Sequence, residues 1–208
     1  VNGRGQRGQY MISLDTMFWL LVGFFALIGA LRGWTKEVIA TSGLVLSLFT
    51  LNQFGPFLVS LLGATVDPSL PDPDALRRRQ YYVLAAVHLF FTFFSYQGPV
   101  IAGTRLSERL RVRDSFQDKV MGALVGAMNG YLIIGTLWAF LEYQIGPAGY
   151  ETLAPGVNYP FALTELIRPG LGTVPASSVI NNLPLPFLAP YLPILLVLVF
   201  LFVIVVMI

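Results

Sequence analysis

Long apolar runs, broken by short clusters of charge and proline, organise this chain. A bilayer core of about 30 Å needs roughly 20 apolar residues in a helix. Residues 16–31 carry no charge between Asp15 and Arg32, and Ser13 or Asp15 is the predicted N-cap. A second run covers 38–54, weakened at its far end by Asn52 and Gln53. Gly55-Pro56 should close it, since proline lacks an N–H and disfavours helix in the residue before it. Residues 57–66 are apolar again but too few to span, which predicts an interfacial or re-entrant piece. The third run, 81–102, opens on Tyr81 and Tyr82, where an aromatic belt is expected, and should kink or end near Gly98-Pro99. The fourth covers 120–141 and ends at Glu142. The fifth, 187–208, carries no charge, and its prolines Pro190 and Pro193 fall in first turns, where proline is tolerated.

Between the runs, residues 67–74 hold three prolines and three aspartates, which excludes a regular element, and Arg77, Arg78 and Arg79 close that loop. Residues 104–119 are polar, and 102–112 are predicted to carry the third helix on into water. The 45-residue connection 142–186 contains seven prolines and predicts a folded loop at the membrane surface. The expected layout is a tail over 1–11, a four-helix membrane domain over 12–141, the Pro-rich loop 142–186 and an additional C-terminal helix over 187–208. The fold class is an all-α integral membrane protein, a bundle of four to five transmembrane helices with a long Pro-rich extramembrane loop. The dense basic segment 105–119 predicts that its side is cytoplasmic, with the N-tail and the long loop outside.

Composition agrees with this solvent. Hydrophobic residues are 55% and charged residues 12%, about half the usual ~25%, and mean hydropathy is +0.70. Such a chain has too few charges to cover a soluble globule and too much apolar character for disorder. With no cysteine, disulfides, thiolate catalysis and Cys-based zinc sites are excluded; with His88 alone, so is a histidine metal cluster. A net charge of +2 from scattered Lys and Arg gives no reason to expect nucleic acid. The expected partners are the lipid bilayer and other membrane protein subunits.

Candidate chemistry is sparse. Gly122, Gly126 and Gly130 recur four apart, Gly29 and Gly33 repeat the interval, and Gly43 with Ser47 does so again. Such stripes let helices approach closely, within the bundle or across a seam between chains. His88 lies inside the third run, where an ionisable residue is a functional candidate by default. It could bond a neighbouring helix, relay a proton, or contact a pigment or quinone, although Leu84 in the preceding turn crowds a macrocycle. No other cofactor is expected, and no metal. Ser95, Tyr96 and Gln97 make the far end of the same helix polar. Arg32, Lys36 and Glu37 form a charged turn, in which Glu37 should cap or pair with a base of the third loop. Asp118-Lys119 opens the fourth helix, with Asp118 at its positive dipole end. Asp15, Arg32, Glu37, Asp118 and Lys119 read as charges holding helix ends at the headgroups. No nucleophile elbow, phosphate loop or H-E-x-x-H motif is present, so no enzyme is expected.

Two segments carry a resemblance. Residues 11–52 read MISLDTMFWLLVGFFALIGALRGWTKEVIATSGLVLSLFTLN, and residues 114–140 read DSFQDKVMGALVGAMNGYLIIGTLWAF. An Asp precedes an apolar helix that ends in Arg-Gly-aromatic, with Glu four residues after the Gly; later an Asp-basic pair precedes a Gly-spaced helix. This resembles the colicin V production protein (CvpA) family of bacterial inner-membrane proteins. The matching positions are Asp15, Arg32, Gly33, Glu37, Asp118, Lys119, Gly122, Gly126 and Gly130. Two departures stand out: Asn129 replaces a usual basic residue, and a fifth apolar helix follows the Pro-rich loop. The resemblance implies multi-pass localisation in a bacterial inner membrane and a link to colicin export and envelope maintenance, with no assigned reaction. Two functions follow as expectations. One is a non-catalytic accessory subunit packed in a larger assembly, for example a photosynthetic or respiratory one. The other is a channel or export component working through His88, Gln97, Asn129 and Asn52.

Overall fold

The computed structural model describes residues 13–67, 69, 72–101, 115–146, 149–161, 166–172 and 174–207. The tail 1–11 and the predicted helical continuation 102–112 lie outside the described residues.

Helix α1, Leu14–Arg32, starts where the Ser13 hydroxyl accepts from the Thr16 N–H at 3.2 Å. Its 19 residues reach about 28 Å, enough for a hydrocarbon core. Gly33 ends it at φ 85°, a left-handed conformation that suits glycine and lets the chain turn at once into α2, Trp34–Leu61.

Helix α2 corrects the expectation at Pro56. The helix continues through the proline, so 57–61 is its last turn and no separate re-entrant piece forms. Proline removes one N–H from the ladder, and a neighbour supplies a bond nearby. The Tyr150 hydroxyl donates to the Leu51 carbonyl at 2.9 Å and lies against the bare face of Gly55. Helix α3, Pro73–Ile101, likewise passes through Gly98-Pro99, and it starts before the arginine triplet, with Asp72 accepting from the Ala75 N–H at 3.0 Å. Helix α4 is Ser115–Glu142.

The Pro-rich connection contains an unforeseen antiparallel hairpin, β1 Tyr143–Gly146 and β2 Gly149–Thr152, with Ile145 opposite Tyr150. The last predicted span forms, starting three residues earlier than expected. It opens with a short helix, α5 Pro184–Leu188, then a 3-10 turn Ala189–Tyr191, then α6 Leu192–Met207. The prolines at 186, 190 and 193 withhold N–H donors there, and the ladder tightens into a 3-10 turn over Ala189–Tyr191 without leaving helical conformation.

Four segments among the described residues are long and apolar enough to cross a membrane: Leu14–Arg32, Trp34–Leu61, Phe116–Glu142 and Pro184–Phe202. The third predicted span falls on α3, which is not among these four described segments. The chain is an all-α, multi-pass membrane bundle.

Its order follows from residue pairs. Phe18 lies against Trp138, and Gly33 against Asp118, so α1 and α4 are antiparallel. Gly43 meets Ser95 and Ser47 meets His88, so α2 and α3 are antiparallel too. One end of the bundle therefore carries the α1–α2 turn, and the other carries the hairpin and the long loop. The interior is leucine-rich, with Leu44, Leu48, Leu51 and Leu84 fully buried. Trp19, Leu27, Phe90, Phe93, Val197 and Leu201 point outward, an arrangement suited to hydrocarbon rather than water.

Candidate functional site

The turn end of the bundle gathers charge that an apolar core would not need. Glu37, in the first turn of α2, has no solvent exposure, 0%. It was expected as a headgroup anchor, or as a partner for a base of the third loop. Instead it faces inward and pairs with Arg32, five residues earlier. The Glu37 Oε1 atom lies 3.3 Å from Arg32 Nη1, an ion pair whose alignment falls short of a hydrogen bond. Its Oε2 atom accepts from Asn129 Nδ2 at 2.8 Å and from the Tyr96 hydroxyl at 3.1 Å.

The cage is reciprocal. Asn129 Nδ2 also donates to the Glu37 carbonyl at 3.0 Å, and its Oδ1 accepts from the Thr41 hydroxyl at 2.7 Å. Arg32 donates to the Tyr96 carbonyl at 3.0 Å and stacks over the Tyr96 ring, 4.3 Å from its centroid. One carboxylate is thus held by a guanidinium from α1, a hydroxyl from α3 and an amide from α4. Such a set can hold one buried carboxylate where three helices meet.

The glycines sit where the helices touch. A Cβ on Gly29 would collide with the Gly122 carbonyl and stand 2.8 Å from Gly126 Cα. One on Gly126 would stand 2.5 Å from the Phe25 carbonyl, and one on Gly130 would stand 2.7 Å from Phe25 Cβ. The α1 and α4 backbones therefore meet directly. Below this seam, Asp118 Oδ1 accepts from the Trp34 N–H at 3.1 Å, capping the start of α2 across the bundle. Asp118 Oδ2 would lie 2.6 Å from a Cβ on Gly33, which gives that glycine a second constraint. Asp15 accepts from the Ser177 hydroxyl and so ties α1 to the long loop. Lys119 is exposed on α4.

His88 is fully buried, with Nδ1 2.9 Å from the Ser47 hydroxyl and its ring edge-on to Phe140, 6.2 Å between centroids. Gln97 is exposed, and the structure does not bring it to His88 or Asn129. Leu44 and Leu48 fill α2 on either side of the Ser47 level, so the Glu37 cage and the Ser47–His88 pair are separate polar nodes.

A second ion pair organises the loop end. Glu142, fully buried, accepts from Arg168 Nε at 3.0 Å and lies 2.9 Å from its Nη2. The Tyr159 hydroxyl donates to Glu142 at 2.5 Å and accepts from Trp138 Nε1 at 2.9 Å. Arg168 also donates to the carbonyls of Leu153, Ala154 and Val157. Burial pushes the Tyr159 hydroxyl well above the usual tyrosine range, and the neighbouring Glu142 carboxylate adds to the shift. Burial does the same to Tyr150.

Sequence reasoning missed Thr41 and took Glu142 only as a helix stop. It noted Asn129 as a family departure and a pathway candidate, without its tie to Glu37. A signal for the loop end was available: Arg168 is the sole base between residues 142 and 186, beside a lone acid at a span end. Among the described residues no group of His and acidic side chains could hold a metal.

Compared with known families, residues 14–161 match a model described as Colicin V production protein. The matched stretch takes in α1 through the hairpin and ends at Phe161, ahead of Arg168 and α6. No curated protein and no solved structure matches the chain.

Proposed function

The chain belongs to the colicin V production protein family, and from that premise we propose that it is an export or channel component of a bacterial inner membrane, with Glu37 as its titrating switch. The observation that carries this reading is a fully buried carboxylate caged by α1, α3 and α4. Glu37 sits in the first turn of α2 rather than at the middle of a span, yet it is fully buried, and a buried ionisable group inside a membrane bundle is a functional candidate by default. Leucine at the same place would serve stability better.

The cage gives the switch a mechanism. Ionised Glu37 holds Arg32, Tyr96 and Asn129 together, and with them the turn ends of α1, α3 and α4. A proton on the carboxylate removes the charge that Arg32 faces and turns one acceptor oxygen into a donor. The attraction that holds α1 and α2 against α4 then weakens, and the leucines between the two polar nodes have room to part. The family is not known as an enzyme family, and no step here makes or breaks a covalent bond other than to a proton.

The test is proton entry into sealed liposomes loaded with a pH-sensitive dye, driven by an imposed pH gradient. The native protein should acidify the lumen, and Glu37→Gln, which keeps shape and most hydrogen bonds, should not. Liposomes that stay equally tight with and without native protein would sink the reading.

A second reading, an accessory subunit of a larger membrane assembly, draws on α6. That helix lies beyond the family match and leaves Ile194, Val197, Leu198 and Leu201 exposed. Native gels of gently solubilised membranes separate the two readings: a subunit migrates with partners, and a self-contained exporter migrates as itself.

A further inference from the structure

We infer that a cavity between α1, α3 and α4 at the loop end holds one hydrocarbon chain of a glycerophospholipid, whose phosphate is met by Arg78. The cavity has a volume of about 410 Å³, and its walls include Phe18, Leu21, Tyr82, Leu137, Trp138 and Phe161. That volume lies within the ~300–1,000 Å³ of ordinary ligand sites. The lining residues just named offer hydrocarbon and aromatic rings, so the occupant at this depth is an alkyl chain.

The mouth supplies the headgroup chemistry. Tyr81, Tyr82 and Phe161 stack edge-to-face, with centroids 5.2 to 5.9 Å apart, in the belt position where aromatic rings meet headgroups. Arg78 lies one turn before Tyr82 on the same face of α3, about 6 Å farther out. One of its five donors goes to the Pro160 carbonyl at 3.1 Å, next to Phe161 in the cavity wall. Among the described residues its carboxylate partner is Asp72, 3.9 Å away with both side chains exposed, a weak pair. The remaining donors form a fork suited to a phosphate.

The experiment uses the full chain with Trp19→Phe and Trp34→Phe, so that Trp138 is the remaining one of three tryptophans. In maltoside micelles, which carry no phosphate, phosphatidylglycerol with brominated chains is titrated in and the Trp138 fluorescence is followed. Saturable quenching is expected, with brominated diacylglycerol several-fold weaker and Arg78→Gln reducing the phospholipid to the diacylglycerol level. Leu21→Phe, which fills the cavity, should remove most of the quenching. If that variant does not elute as a single species, Met17→Phe, on an outward-facing wall position, replaces it. Quenching that never saturates, is equal for the two lipids and ignores Arg78→Gln would overturn the inference.

Discussion

Glu37 and Asn129 stand 92 positions apart in the chain, yet the carboxylate of one lies 2.8 Å from the amide nitrogen of the other. The same amide uses both its faces: Nδ2 donates to Glu37 twice, and Oδ1 accepts from Thr41. The orientation of Asn129 is therefore determined by its surroundings. It fixes the angle at which α2 crosses α4 near the turn end, where α1 also enters. A basic side chain here, as the family resemblance would have it, would face Arg32 across one shared carboxylate.

Asn129→Asp replaces two donors with a second buried negative charge beside Glu37. Loss of a partner at a buried charge typically costs about 3–5 kcal/mol. The variant should unfold in detergent at a clearly lower temperature than Asn129→Ala, which only removes the hydrogen bonds, each worth about 1–3 kcal/mol when a buried group is left unpaired. Equal melting of the two would show that no like-charge repulsion acts between positions 37 and 129.

Arg32 and Glu37 should behave as one unit in a double-mutant cycle. Arg32→Met leaves the buried carboxylate without its cation and should destabilise by about 3–5 kcal/mol. Adding Glu37→Gln to Arg32→Met removes the orphaned charge and should restore much of that loss. Additive thermal shifts would mean that the 3.3 Å contact carries no coupling.

The α1–α4 seam offers a sharper contrast. At Gly126 a Cβ would stand 2.5 Å from a main-chain carbonyl that cannot swing aside. Gly126→Ala should push the helices apart and destabilise by about 1–3 kcal/mol. Gly23 has nothing within 4 Å of its Cβ position, so Gly23→Ala should gain up to about 1 kcal/mol from helix propensity. Circular dichroism melts of the pair decide the matter, and a loss of stability at Gly23 equal to that at Gly126 would remove the seam as its cause.

The apolar runs made the bundle legible before any coordinates. Solvent type, the α1 boundaries at Ser13 and Arg32, and the α4 boundary at Glu142 follow from charge and capping alone. Pro56 misled because its local rule takes no account of the packing around α2, where the Tyr150 hydroxyl reaches Leu51 from 99 positions away and lies against Gly55. Glu37 misled for the same reason: an acid near a helix start usually faces headgroups, and only the meeting of α1, α3 and α4 turns it inward. The hairpin went unseen because its strands have four residues each and no alternating pattern long enough to register. The Arg32–Glu37 spacing is visible in the sequence, but nothing local shows that Tyr96 and Asn129 from other helices complete that node.

Tyr159 ties Trp138 to Glu142, and its burial beside that carboxylate sets the alkaline limit of the loop end. Its hydroxyl is raised above the ordinary value of 10.0 in the folded protein. A raised folded pKa contributes stability that is fully present below the unfolded value and is lost as pH rises above it. Stability should therefore hold up to about pH 10 and fall beyond it, as unfolding releases a proton that the folded state keeps. Tyr159→Phe should flatten that alkaline fall while lowering stability at neutral pH, since Trp138 Nε1 loses its acceptor and Glu142 a donor. Two readouts check this: tyrosinate absorbance, where Tyr159 and Tyr150 should lag behind exposed tyrosines, and melting temperature against pH for both proteins. If all tyrosines titrate together while the helices remain folded, the loop-end network is open to water and the account of Glu142 and Arg168 as a buried pair fails with it.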